Sequence, residues 1–145
     1  MKLLLDTNVL VSALVWGGTP YSLLKQGSVP PHQIYTSPEL LDELRQTLAY
    51  PKLTLQMNKR GLSAIELFDQ LALIVYSLRS QALLQPVCRD PDDDAVLACA
   101  KTAQVNLIVS GDQDLLALKQ FEGIPIVTAA QALALLNPNQ SPVDY

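Results

Sequence analysis

The sequence carries one histidine, two cysteines and no surplus of positive charge, and each shortage removes a class of function. Cys88 and Cys99 form no CxxC and neither lies near His32, so a zinc site and a disulfide framework are both poorly supported. Both thiols are expected to be reduced, with Cys99 buried. His32 reads as a loop residue with no case for catalysis. Ten Lys and Arg stand against fourteen Asp and Glu, a net charge of −4, so the basic surplus by which most nucleic-acid binders attract phosphate is missing. That objection weakens if the acids share one pocket, because divalent cations held there invert the charge a phosphate meets. No apolar run approaches the roughly 18 to 20 residues needed to cross a bilayer. In the opening Met1-Lys2-Leu3-Leu4-Leu5, Asp6 cuts the apolar segment short and no small-residue cleavage site follows. The expectation is one soluble, cytoplasmic domain with no membrane association.

Short apolar runs alternate with helical patterns. Lys2–Leu5 reads as a buried strand, followed by a helix over Val9–Val15 that breaks at Trp16-Gly17-Gly18 and a second helix from Thr19-Pro20 through Leu24. Gln33–Thr36 is a second strand, and Ser37-Pro38 caps a helix running to about Tyr50 with Leu40, Leu41, Leu44 and Leu48 on one face. Residues 51–61 read as a connection with a short helix, Ser63 to about Leu73 as a helix, and 74–78 as an edge strand. Later come an apolar helix over Ala95–Ala100, a strand over Val105–Val109, a short helix over Asp114–Leu118, a strand over Ile124–Val127 and a final helix capped by Thr128. Strands alternating with helices imply a doubly wound parallel sheet covered on both faces.

Four aspartates crowd into positions 90–94, and Ser110-Gly111-Asp112-Gln113-Asp114 adds two more after an apolar run. Carboxylates brought together repel and raise one another's pKa unless a cation or a proton-carrying role relieves them. Helix capping explains part of the crowd, since Asp90-Pro91-Asp92-Asp93 has an N-cap, a first-turn proline and acids at the positive end of the helix dipole. It leaves Asp94 and the 110–114 group. In open parallel sheets, ligands sit outside the carboxyl ends of the strands. Asp6 closes the first strand and Asp112 closes "NLIVS", so both are expected in one crevice, with Asp94 and Glu43 on its rim. Such oxygen donors suit Mg²⁺ or Mn²⁺. Two ions about 4 Å apart can activate a water and stabilise the leaving oxygen of a phosphodiester. Each residue has a plainer reading. Asp6 can merely cap the first helix, Glu43 can be a solvated surface acid, Ser110 can satisfy a turn, and Arg89 is read as neutralising Asp92 or Asp93 rather than gripping a backbone phosphate.

The segments "LLLDTNVLVSAL", "SPELLDEL", "RDPDDDAVLACA" and "VSGDQDLL", in that order, resemble the PIN-domain family, closest to the VapC-like bacterial toxins of toxin–antitoxin pairs, over residues 2 to about 128. The resemblance implies a three-layer α/β/α fold with a central parallel sheet, here residues 1–136, with 137–145 expected to form a loose tail. It implies a Mg²⁺- or Mn²⁺-dependent ribonuclease whose catalytic set is Asp6, Glu43, Asp94 and Asp112, with metal on Asp6, Asp94 and Asp112. Asn8 would support metal-bound water, Ser110 matches the family's small hydroxyl residue, and Asp114 is an outer acid. Among Asp92, Asp93 and Asp94, the last is chosen because the family places its acid directly before the apolar helix, and Asp93 is kept as a supporting residue. The implied partners are an RNA substrate, a cognate antitoxin and a second copy in a homodimer. Lys52, Lys59 and Arg60, with Arg45 and Arg79, are the basic residues available to follow an RNA backbone, against the plainer reading of a solvated surface.

Two rivals stand beside this reading. One is a catalytically silent PIN-like module whose acidic cleft holds an arginine of a protein partner. The other is an aspartyl phosphatase of the haloacid dehalogenase type, which wants a second aspartate two positions after the first, where this chain has Asn8.

Overall fold

Leu3, Leu4 and Leu5 are almost completely shielded from solvent, which makes Lys2–Leu5 the central strand β1 rather than a surface ribbon. A computed structural model of the protein describes residues 1–137. After β1 come α1 (Thr7–Val11), a π-helical turn over Ser12–Trp16, α2 (Gly18–Gly27), β2 (Gln33–Thr36), α3 (Pro38–Leu48), α4 (Pro51–Lys59), α5 (Ala64–Ile74) and β3 (Tyr76–Ser77). The second half runs α6 (Pro91–Ala103), β4 (Leu107–Val109), α7 (Gln113–Leu118), β5 (Gln120–Phe121), β6 (Ile124–Val127) and α8 (Ala129–Leu136). The strands lie in the order β3-β2-β1-β4-β6-β5, all neighbours parallel except the antiparallel β5–β6 pair.

Alternation along the strands divides the core into two layers. Leu3, Leu5, Leu107 and Val109 face the side covered by α1, α2 and α8, while Leu4 and Ile108 face Val96, Leu97, Cys99 and Ala100 of α6 and Leu115 of α7. Helix α3 joins the two, contributing Leu44 and Leu48 to one side and Leu40 to the other. The result is the three-layer α/β/α arrangement, with a mostly parallel sheet. Among the described residues no helix is long and apolar enough to cross a membrane.

The differences from the sequence reading have local causes. The first helix starts at Thr7 because Asp6 caps it, and it continues through the π-helical turn to Trp16. Helix α2 runs past Leu24 to Gly27, where a glycine permits close packing: a Cβ there would lie 2.9 Å from Leu3 Cδ1. The edge strand shrinks to two residues, and the two-residue β5 has no counterpart in the sequence reading. Asn137 closes α8, its Nδ2 donating to Gln26 Oε1 at 2.6 Å; the rest of the expected tail, 138–145, lies outside the described residues.

Candidate active site

From β1 the chain moves outward to β2 and β3, then returns to the other side of β1 for β4 and β6. The order therefore reverses between β1 and β4, and a crevice opens at their carboxyl ends. Leu5 pairs with Val109, and the Asp6 amide donates to the Val109 carbonyl at 2.9 Å, so Asp6 and Ser110 leave the sheet side by side.

Asp6 does cap α1: its Oδ1 accepts from the Thr7 amide at 2.7 Å. Its other oxygen accepts from Ser110 Oγ at 2.8 Å, and Ser110 Oγ in turn accepts from the Asp112 amide at 2.9 Å. Asp112 caps α7 through the Asp114 amide, 2.8 Å from Oδ1. The capping readings and the Ser110 turn reading are thus real. They are incomplete because a cap needs little burial, whereas Asp6 is only 6% exposed and Ser110 fully enclosed. Glu43, half-buried on α3, accepts from Thr7 Oγ1 at 3.1 Å, which brings it from a different layer to the first turn of α1.

The structure separates the aspartates at the start of α6, among which the sequence favoured Asp94. Asp93 is 6% exposed, and it, Asp112 and Asp114 each offer a carboxylate oxygen within 4.8 Å of the others. Asp94 faces elsewhere: its Oδ1 accepts from the Cys88 amide at 2.8 Å and the Val87 amide at 3.2 Å, fastening the preceding loop. Successive helical residues lie about 100° apart around the axis, so Asp93 and Asp94 cannot share a direction. The pairing expected for Arg89 is corrected. Its Nη2 donates to both oxygens of Asp114, at 2.8 and 3.0 Å, not to Asp92 or Asp93.

The charges act on one another. Burial, then the charges of Asp112, Asp6 and Asp90, push the Asp93 carboxyl up to about 7. Burial also raises Asp6 against the hydrogen bonds from Ser110 and Thr7, with Asp112 and Asp90 adding to the rise. Glu43 is raised by burial against the Thr7 hydrogen bond, with Asp92, Asp6 and Asp90 pushing it further. Among the described residues, Asp6, Glu43, Asp93 and Asp112 have no ion-pair partner. Asn8 is exposed and lines a cavity with Ser12, Ser110, Gly111 and Thr128, and Glu43 lines a second with Asp92, Gln46, Thr47 and Tyr50. Thr7, which the sequence reading passed over, is the link between Asp6 and Glu43; its signal was its place directly after the first acid. The donor set is all oxygen, acid-rich and short of counter-charge, and it fits a hard divalent cation rather than a soft one.

The fold and site together define an α/β protein with an acidic cleft at its topological switch point. The chain belongs to the PIN domain family, whose model matches residues 2–114. Among solved structures it is similar to a chain of a crystal structure described as VapBC2 from Rickettsia felis bound to a DNA fragment from their promoter. That likeness has a TM-score of 0.62 at 14% identity and covers 88% of this chain and 98% of that one. No curated protein sequence matches significantly.

Proposed function

We propose that the protein is a Mg²⁺- or Mn²⁺-dependent ribonuclease that hydrolyses RNA phosphodiester bonds and forms the toxin half of a toxin–antitoxin pair. The observation that carries this reading is the gathering of Asp6, Asp93 and Asp112 at the β1/β4 switch point, where Asp6 and Asp93 are buried and both are raised above the ordinary carboxylate range. Those three would hold the cation, with Asp114 at the outer edge and Asn8 beside bound water. A bound cation would supply charge neutralisation for the phosphate and a more acidic water. Glu43, held by Thr7 and kept more basic than a free carboxylate, takes a proton from the attacking water. Ser110 keeps Asp6 and Asp112 in register through its two hydrogen bonds. Hydrolysis leaves a 3′-hydroxyl and a 5′-phosphate. A covalent cysteine route is disfavoured, because burial and then Asp94 and Asp93 push the Cys88 thiol up to about 11.

Support for RNA as substrate comes from the exposed Trp16, whose ring has the Arg60 guanidinium 4.9 Å from its centre. An exposed aromatic with a cation is a platform for an unstacked base. The Rickettsia felis likeness supports an antitoxin partner, and the exposed Leu55, Ile65 and Leu73 on α4 and α5 support a second copy. A second reading, the silent module, draws on the Arg89–Asp114 pair, which shows the cleft's edge accepting a guanidinium. The test is cleavage of mixed-sequence RNA: activity in Mg²⁺, lost in EDTA and in Asp112→Asn, supports the nuclease. Cation binding with no turnover of RNA favours the silent module.

A further inference from the structure

Arg89 is the one basic side chain that pairs with this acidic cluster among the described residues. Its side chain is 87% exposed and that of Asp114 45%, so the pair contributes little to stability, as is usual for ion pairs in solvent. Fold maintenance is therefore a weak reason for its geometry. Asp114 has two claims on it. It receives both hydrogen bonds from Arg89, and it offers an oxygen to the space shared with Asp93 and Asp112. A cation in that space and the guanidinium draw on the same carboxylate and repel one another.

We propose that Arg89 is a substrate-positioning residue, parked on Asp114 in the free protein and released to a non-bridging phosphate oxygen of RNA when a cation enters the Asp93–Asp112–Asp114 cluster. This rests on the nuclease reading. The backbone favours such a swing. Arg89 directly precedes Asp90, whose side chain caps α6 through the Asp92 amide at 2.9 Å, so the root of the side chain is fixed while its solvent-exposed end is held by Asp114. A guanidinium offers a fork of donors that matches phosphate as well as carboxylate, so leaving Asp114 for RNA exchanges one charge-assisted pair for another. Competition for Asp114 also has a reciprocal consequence: what Arg89 holds, the cation binds less tightly.

The test combines Mn²⁺ calorimetry with fluorescence anisotropy of a labelled mixed-sequence single-stranded RNA in Ca²⁺, on wild type, Arg89→Gln and Arg89→Lys. Arg89→Gln is expected to bind Mn²⁺ about threefold more tightly, because a competing exposed ion pair is gone. The same variant is expected to bind RNA about tenfold more weakly, with Arg89→Lys between, because it keeps the charge without the fork. Wild type that binds Mn²⁺ and RNA, with Arg89→Gln unchanged or weaker toward Mn²⁺ or unchanged toward RNA, overturns this inference alone. Wild type that binds neither overturns the nuclease reading and the inference with it.

Discussion

Ser110 and Asp6, 104 positions apart in sequence, are joined by a hydrogen bond of 2.8 Å between the Ser110 hydroxyl and Asp6 Oδ2. The same hydroxyl accepts from the Asp112 amide, so one buried side chain sets the spacing of two acids from neighbouring strand ends. Ser110→Ala leaves the Asp6 oxygen and the Asp112 amide without this partner. The expected cost is about 1–3 kcal/mol of stability, measured by urea unfolding, together with weaker cation binding. Unchanged stability and unchanged Mn²⁺ affinity would remove Ser110 from the account.

Asp93→Asn and Asp94→Asn should behave as opposites although the residues are adjacent. In the cation-free protein above neutral pH, Asp93→Asn removes a crowded buried charge, so it is expected to raise resistance to urea while abolishing Mg²⁺-dependent RNA cleavage. Asp94→Asn weakens the carboxylate's hold on the amides of Val87 and Cys88, so it lowers stability by about 1 kcal/mol and leaves most of the cleavage. The reverse pattern would restore Asp94 to the site.

The acids also set a pH dependence. The folded protein holds Asp93 up to about 7, and Asp6 and Glu43 are raised too, so in this region the fold binds protons that the unfolded chain has released. This contribution to stability is full below the ordinary carboxylate range and is lost as pH rises through about 7. A cation must displace those protons, so Mn²⁺ affinity should climb between about pH 5.5 and 8. Thermal unfolding in EDTA and in Mn²⁺ across that range checks both signs; a Mn²⁺-induced rise in Tm that shrinks with pH would contradict them.

Trp16→Ala removes an exposed ring that contacts Arg60, so its effect on folding should be small. RNA binding in Ca²⁺ is expected to weaken by about 5- to 100-fold, the usual range for loss of one base-stacking aromatic. Anisotropy with labelled RNA reads the change, and an unaltered affinity would place the RNA path elsewhere.

Much of the fold was legible in local pattern. The run Leu3–Leu5 ending in Asp6 gave β1 and its cap, and Thr128 announced α8, where it forms a reciprocal cap with Gln131. The site was legible as far as strand ends and helix starts determine position, which covers Asp6, Ser110 and Asp112. The rotation of α6 was not. Val96, Leu97, Ala98, Cys99 and Ala100 are all buried, so this stretch has no polar face from which to tell whether Asp93 or Asp94 points inward. That direction depends on the 87–88 loop, whose amides capture Asp94. The Thr7–Glu43 bond joins α1 to α3 and leaves no trace in spacing, and β5 is too short to show periodicity.

The most direct test is calorimetric titration of Mn²⁺ into wild type and Asp6→Asn, since it requires no knowledge of the RNA. Saturable binding by the wild type, lost in a variant that keeps its fold by circular dichroism, is the predicted result. A folded wild type that binds no Mn²⁺ at millimolar concentration, or a variant that binds as well as wild type, would contradict the claim that these acids form a cation site.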